Sequence, residues 1–106
     1  LQAVYNDILR TFPGEFSIYD QYARFAYPGY NLLRGSTGSA VRNLQEYLQV
    51  LSRGVESVPY VAADGIFGAQ TETAVKAAQR YFGLTPNGVV GPLLWYAIAE
   101  YYYYNV

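Results

Sequence analysis

Apolar residues recur at helical spacing in four stretches of the chain, and the first stretch lies at its start. One stripe of an amphipathic helix runs through Leu1, Val4, Tyr5, Ile8, Leu9 and Phe12. We expect this helix to end at Pro13 and Gly14, because proline disfavours helical geometry in the residue before it and glycine lets the chain turn. An N-terminal helix is therefore predicted over residues 1–12.

The second stretch begins at Ser39 and predicts a helix. Its inner face carries Val41, Leu44, Leu48 and Leu51. Gly54 is expected to end this helix in a left-handed conformation. Residues 55–63 are predicted to form a connection without helix, since Pro59 lies within them.

Two more helices are predicted towards the C-terminus. One begins after Gly68 and ends at Gly83, with an inner face formed by Thr71, Ala74, Val75, Ala78 and Phe82. The other begins at Gly91 and Pro92, because proline at the first helical position removes an N–H that has no partner within the helix. Leu94, Trp95 and Ile98 continue its inner face, and we expect Trp95 to lie in the core.

Residues 15–38 have no sustained period but are rich in aromatic rings, and we expect them to wrap against the core. The chain is thus predicted to be all-α: a small three-helix bundle with Gly-rich loops, plus an additional N-terminal helix and this aromatic wrapping segment. Residues 1–31 are assigned to the N-terminal helix and a Tyr-rich linker or insertion. Residues 32–106 are assigned to the three-helix domain.

A five-residue pattern precedes each of the last two helices: Asp or Asn, Gly, two apolar residues, Gly. It occurs at residues 64–68 and 87–91. We expect the first glycine to adopt positive φ, both apolar residues to plug into the core and the last glycine to open the helix. Gln45 and Gln79 each follow a core valine by four residues. They are expected to hydrogen bond the backbone of a loop that crosses their helix.

Composition removes several classes of function. The 106 residues include no His and no Cys, which excludes a zinc site of the usual ligands, a Ser-His-Asp triad and a Cys-His dyad. A formal net charge of −1, with Lys76 as the single lysine, offers no basic surface for nucleic acid or anionic lipid. No apolar run approaches the ~20 residues of a membrane-spanning helix. We predict no nucleic acid, no membrane, no cofactor and no metal as partners.

The ordered motifs resemble those of the peptidoglycan-binding domain family over residues 32–99. The match consists of Leu33-Arg34, Gly35-Ser36, Gly38, Val41, Leu44, Gln45 and Leu48, then Asp64-Gly65, Phe67-Gly68, Thr71, Ala74-Val75, Gln79 and Gly83-Leu84, then Asn87-Gly88, Val89-Val90, Gly91-Pro92 and Trp95. Leu94 stands where the family often has Thr, and Ala78 where a Phe is common. Both positions are expected in the core. Residues 1–31 lie outside the match and look like the tail of a preceding module plus a Tyr-rich insertion.

This resemblance implies a non-catalytic, extracellular, carbohydrate-binding module of three helices. It would recognise the glycan and stem peptide of peptidoglycan and anchor an attached enzyme or surface protein. Neighbouring domains or repeats of a longer chain, and a place at the cell wall or the spore, are implied in the same way. The alternative is a structural or protein–protein interaction module of a multi-repeat wall or spore-coat protein, because aromatic surface serves protein partners as well as glycan.

The acidic residues agree with a role without catalysis. A glycosidase needs two carboxyl groups about 5 to 10 Å apart across a cleft. The eight acidic residues are scattered along the chain, and Asp64 is explained as a turn residue. We therefore predict no catalytic residue.

The ligand-binding candidates combine polar groups with flat rings on or beside the second bundle helix. They are Tyr60, Asp64, Gly65, Gln79, Arg80 and Tyr81. Structural roles compete with binding: Gln79 can hold a loop, Tyr81 can pack on the first bundle helix, and Arg80 can be solvated. The rings at residues 101–104 can stack on glycan, cap the core or dock a neighbouring module, and docking is our preferred interpretation.

Overall fold

The computed structural model describes residues 26–106, and three helices form most of this part. They are α1 (Ser39–Gly54), α2 (Ala69–Tyr81) and α3 (Pro92–Asn105). The predicted all-α class is confirmed, and residues 55–63 form a connection without helix, as predicted. The predicted helix at residues 1–12, and the aromatic residues up to residue 25, lie outside the described residues.

The core lies where the helices meet, with α1 packed against both α2 and α3. Its side chains come from the apolar stripes that the sequence predicts. Fully buried examples are Leu44 and Leu48 of α1, Ala74 and Ala78 of α2, and Trp95 and Ile98 of α3. Leu94 is buried too, so Leu94 and Ala78 both occupy the core positions expected of them.

Residues 32–38 run beside both Gly-rich loops and join them to the bundle. Leu32 exchanges two backbone hydrogen bonds with Val90, at 3.1 and 2.8 Å. The Phe67 N–H donates to the Ser36 carbonyl at 2.9 Å, and the Gly38 N–H donates to Gly65 at 2.9 Å. These pairings form two isolated bridges, and the described residues contain no longer strand.

Glycines precede all three helices, and none of these helices has a side-chain cap. Gly68 and Gly91 open α2 and α3 as predicted, and Pro92 occupies the first turn of α3. At the other end of α2, Gly83 has a φ of 76°. The Leu84 N–H returns to the Gln79 carbonyl at 2.8 Å, which completes a left-handed helix end around Gly83.

The prediction of a left-handed cap at Gly54 was wrong. Gly54 is the last residue of α1 and is absent from the glycines with positive φ, while Val55 after it is extended. A side chain here is opposed for a different reason, since a Cβ on Gly54 would overlap the Tyr101 hydroxyl. Gly54 therefore permits a close approach between α1 and α3.

Aromatic rings cover the side of α3 that faces α1 and the start of the described chain. The Trp95 ring has Tyr47 and Tyr27 edge-on, with centroid distances of 5.5 and 6.4 Å. Tyr102 lies on Tyr47 at 4.8 Å, so this ring of the C-terminal run caps the core. The run stays helical to Asn105.

Within residues 26–106, no helix combines the length and the apolar character that crossing a bilayer requires.

Candidate functional site

The loop before α2 is held by the carboxamide of Gln45. Its Nε2 donates to Asp64 Oδ1 at 3.0 Å, to the Ile66 carbonyl at 3.0 Å and to Thr71 Oγ1 at 3.1 Å. Its Oε1 accepts the Gly65 N–H at 2.8 Å. Because Gln45 is buried, these bonds satisfy an amide that would otherwise cost free energy in the core.

The loop before α3 is held in the same way by Gln79. Its Nε2 donates to Asn87 Oδ1 at 2.8 Å and to the Val89 carbonyl at 3.1 Å. Its Oε1 accepts the buried Gly88 N–H at 2.9 Å. The prediction that Gln45 and Gln79 bond the backbone of a crossing loop is confirmed.

In both loops the first glycine has positive φ, 76° at Gly65 and 79° at Gly88, as predicted. Only the second apolar residue of each pair plugs into the core. Phe67 and Val90 are buried, but Ile66 is 58% exposed, so the prediction that both residues point inward was wrong. The inward position belongs to the residue that directly precedes the opening glycine of each helix, Gly68 or Gly91.

Each clamped loop borders a surface hollow, and the two hollows have corresponding walls. The first, about 200 Å³, is lined by Gln45, Asp64, Ile66 and the first residues of α2. The second, about 380 Å³, is lined by Gln79, Asn87, Val89 and the first residues of α3. The two loops and the helix starts that follow them thus form two concave surfaces, which have different side chains at equivalent positions.

Asp64 gives the first hollow a carboxylate that stays ionised at neutral pH. The Ile66 N–H donates to its Oδ1 at 3.0 Å, and Gln45 adds a second donor. These two hydrogen bonds, the one from Ile66 first, lower the pKa of Asp64 below its ordinary value. Asn87 makes the corresponding bond to the Val89 N–H at 2.9 Å without a charge.

The predicted binding residues do not form one cluster around either hollow. Asp64 lines the first hollow and Gln79 the second. Neither lining includes the four other candidates, which are Tyr60, Gly65, Arg80 and Tyr81. Their role as ligand contacts stays a prediction.

The exposure of the candidates separates direct from indirect roles. Tyr60 and Tyr81 are 69% and 52% exposed, and Arg80 is exposed. The Tyr81 ring lies edge-on to Phe82 at 4.9 Å. Gln79 is buried, and both polar atoms of its carboxamide are bonded to the loop. Gln79 therefore shapes the second hollow from behind.

Sequence reasoning missed four residues that line the second hollow: Asn31, Leu84, Thr85 and Leu93. Asn31 accepts a hydrogen bond from the Tyr27 hydroxyl at 2.6 Å and lies over Gly91. Leu93 is 65% exposed at the first turn of α3. Leu93 is the signal in the sequence that could have indicated this hollow, because it is an apolar residue at the start of a predicted helix and lies outside the predicted inner face.

Glu72 and Lys76 lie four residues apart on α2, which is the spacing of a surface ion pair. Glu72 instead pairs with Arg34, with 3.3 Å between Oε1 and Nη1. Both Glu72 and Lys76 pack over Gly88, where a Cβ would lie 3.1 and 3.2 Å from them. The pair links α2 to the segment that runs beside the loops.

Among residues 26–106, no group of three or more His, Cys, Asp or Glu side chains could hold a metal ion.

Comparison with known proteins identifies a family whose match covers more than half of the chain. The family described as "Putative peptidoglycan binding domain" matches residues 37–98. The N-acetylmuramoyl-L-alanine amidase CwlL of Bacillus licheniformis is 38% identical over 68 residues, which is 64% of this chain and 18% of that protein.

A second relative is an uncharacterized protein in the bpoA1 3' region of Kitasatospora aureofaciens. It is 39% identical over 66 residues, or 60% of this chain and 51% of that protein. The chain thus spans about half of this relative and less than a fifth of the amidase. No solved structure matches the chain.

Proposed function

Because the chain belongs to the family of peptidoglycan-binding domains, we propose that it is a non-catalytic module that recognises peptidoglycan and keeps an attached enzyme or surface protein at the cell wall. The observation that carries this proposal is the extent of the family match. Residues 37–98 include all of α1 and α2, both clamped loops and the first half of α3.

The surface chemistry supports this choice of ligand. Peptidoglycan presents acetamido and peptide groups, which need hydrogen-bond partners, and sugar faces, which pack on flat rings. The two hollows offer amide, hydroxyl and carboxylate groups beside apolar side chains. Tyr60 and Tyr81 offer exposed rings.

The individual contacts are part of the proposal. We assign direct contact with glycan or stem peptide to Tyr60, Arg80 and Tyr81, which are exposed, and to the carboxylate of Asp64. Gly65 contributes through the turn that it makes possible. Gln79 contributes by holding the second loop in place.

The absence of catalysis is proposed from the chain's own chemistry. The amidase relative is named for cleavage at N-acetylmuramoyl-L-alanine, but the similarity spans only 18% of it. The present chain has no His or Cys to activate water or act as a nucleophile. We therefore assign it attachment to the wall without cleavage. The proposed location is outside the cell, at the cell wall, and includes the walls of spores.

A second candidate function is a structural or protein–protein interaction module of a multi-repeat wall or coat protein. The C-terminal end of α3 favours it, because the Tyr104 side chain is 68% exposed. Such apolar surface suits a neighbouring domain.

The anchoring proposal is tested by fusing a fluorescent protein to this chain and adding the fusion to isolated bacterial cell walls. We expect the walls to become fluorescent with the fusion and not with the fluorescent protein alone. The same walls after enzymatic removal of peptidoglycan should lose the signal. Equal labelling of walls with and without peptidoglycan would contradict the proposal and favour a protein partner.

A further inference from the structure

The second hollow is the larger of the two. Its volume of about 380 Å³ lies within the ~300–1,000 Å³ that is usual for small-molecule sites, while the first hollow has about 200 Å³. It lies between Asn31 on one side, the loop around Asn87 in the middle and the start of α3 on the other.

The lining of the second hollow carries no charged side chain. Its polar groups are the amides of Asn31, Gln79 and Asn87 and the hydroxyl of Thr85. Its apolar groups include Leu84 and Leu93. A charged group brought into this hollow would lose hydration without gaining an opposite charge, which costs free energy. An uncharged ligand with both an amide-like and an apolar part would match this lining.

The comparison between the two hollows shows that this lining is not required by the fold. Position two of α2 is Gln70 and position two of α3 is Leu93, and both are exposed. Position three is Thr71 in α2 and Leu94 in α3. The same backbone frame thus accepts a polar start to the helix. The fold therefore does not require an apolar residue at position 93, and the Leu93 side chain is available for contact with a ligand.

The Asn31 side chain is oriented before any ligand arrives. Its Oδ1 accepts from the Tyr27 hydroxyl at 2.6 Å and would lie 3.6 Å from a Cβ on Gly91. With Oδ1 engaged, the remaining polar atom of this amide is a hydrogen-bond donor, Nδ2. A carbonyl oxygen is the matching acceptor.

We infer that the second hollow binds the acetamido group of an N-acetylated amino sugar. Asn31 Nδ2 donates to the acetamido carbonyl, and Leu84 and Leu93 contact its methyl group. The inference rests on the proposed function and narrows it, because peptidoglycan contains uncharged N-acetylated sugars and stem peptides that carry free charges. It assigns the hollow to the glycan strand.

The first test is an amide NMR titration of the chain with a tetramer of N-acetylglucosamine. We expect shifts at Asn31, at Thr85, at residues 87–89 and at Leu93, with smaller shifts around the first hollow. The deacetylated glucosamine tetramer, which lacks the acetamido group, should leave these signals unchanged. Equal shifts with both oligomers, or shifts confined to other surfaces, would overturn the assignment.

The second test uses matched variants at corresponding helix positions. Leu93→Gln places in the second hollow the residue type that the first hollow has at Gln70. Because Leu93 is 65% exposed, the variant should fold like the wild type. We expect it to weaken binding of the N-acetylated tetramer by roughly tenfold, through lost apolar contact. The control Gln70→Ala should bind like the wild type. Equal affinity of Leu93→Gln and Gln70→Ala would overturn the inference.

Sedimentation with insoluble peptidoglycan separates this inference from the proposed function. Retention of the chain on peptidoglycan without any response to the N-acetylated tetramer would overturn the glycan assignment alone. Failure of both measurements would overturn the proposed function as well. Retention that Leu93→Gln weakens and Gln70→Ala preserves supports both.

Discussion

The Gln79 carboxamide oxygen accepts the N–H of Gly88 at 2.9 Å. This hydrogen bond holds the loop between α2 and α3, which is not part of a helix. Gln79 and Gly88 are both buried, so the bond replaces water for the two groups. Gln45 and Gly65 repeat the relationship at the preceding loop, at 2.8 Å. Each helix thus positions the loop that leads into the next one.

The first prediction concerns Gln79→Ala. Removal of the carboxamide leaves the buried Gly88 N–H and the Val89 carbonyl without this partner. We expect the free energy of unfolding in urea to fall by about 2–4 kcal/mol. The neighbouring variant Arg80→Ala, on the exposed side of α2, should change it by no more than about 0.5 kcal/mol. Equal losses in the two variants would contradict the clamp.

The second prediction concerns pH. The Ile66 and Gln45 hydrogen bonds lower the pKa of Asp64 in the folded state, relative to about 3.9 in an unfolded chain. The stabilisation by this carboxylate is complete above the unfolded pKa and disappears as pH falls through the folded pKa. Asp64→Asn should therefore lose less stability than the wild type between about pH 5 and pH 2.

The second loop already contains the uncharged equivalent. Asn87 Oδ1 accepts hydrogen bonds from Gln79 and from the Val89 N–H. Urea midpoints of the wild type and Asp64→Asn, measured at both pH values, provide the readout. The difference between the two proteins should shift in favour of Asp64→Asn at acid pH. A difference that is the same at both pH values would show that the pKa of Asp64 is equal in the folded and the unfolded state.

The third prediction concerns the contact between α1 and α3 at Gly54. Gly54→Ala adds a methyl group where the Tyr101 hydroxyl lies, so it should lower stability by about 1–3 kcal/mol despite the better helix propensity of alanine. Tyr101→Phe in the same chain should recover part of the loss, because it removes the overlapping oxygen. Gly68→Ala, where a Cβ would meet nothing within 4 Å, is the control for glycine replacement as such.

The outcome is read from thermal unfolding of the two single variants at these positions and of the double variant. Additive effects of Gly54→Ala and Tyr101→Phe would indicate that the two residues do not interact, contrary to this account.

The fourth prediction concerns Trp95, the single tryptophan, which is 1% exposed between the Tyr27 and Tyr47 rings. Trp95→Ala should cost about 3–5 kcal/mol through lost apolar burial and the cavity left behind. Trp95→Phe keeps part of the ring contact and should cost less. Circular dichroism during urea unfolding measures both, and a cost below about 1 kcal/mol for Trp95→Ala would place this side chain outside the core.

The helices could be predicted because local pattern determines them. The stripes of α1, α2 and α3 bury the residues expected, and the glutamines at positions 45 and 79 hold the loops as predicted. The choice between Ile66 and Phe67 could not be predicted, because both are apolar. The direction of each side chain depends on the loop backbone, which Gln45 and the segment at residues 35–36 hold by hydrogen bonds from outside the loop.

Contacts between residues that are far apart in the sequence could not be predicted from the pattern of apolar positions. Glycine at position 54 leaves room for the hydroxyl of Tyr101, which is 47 positions further along the chain. The second hollow needs Asn31 beside Gly91, which the pairing of Leu32 with Val90 brings about. Local spacing predicts neither contact, and the sequence-based candidates therefore included only Gln79 from the lining of this hollow.

Passive attachment to peptidoglycan can be tested in a single assay on the purified chain. The chain is incubated with purified insoluble peptidoglycan, and the protein in the pellet and the sugar fragments in the supernatant are measured from the same tube. We expect the chain in the pellet and no soluble muropeptides in the supernatant. A chain that stays in the supernatant would contradict binding, and muropeptide release by the purified chain would contradict the absence of catalysis.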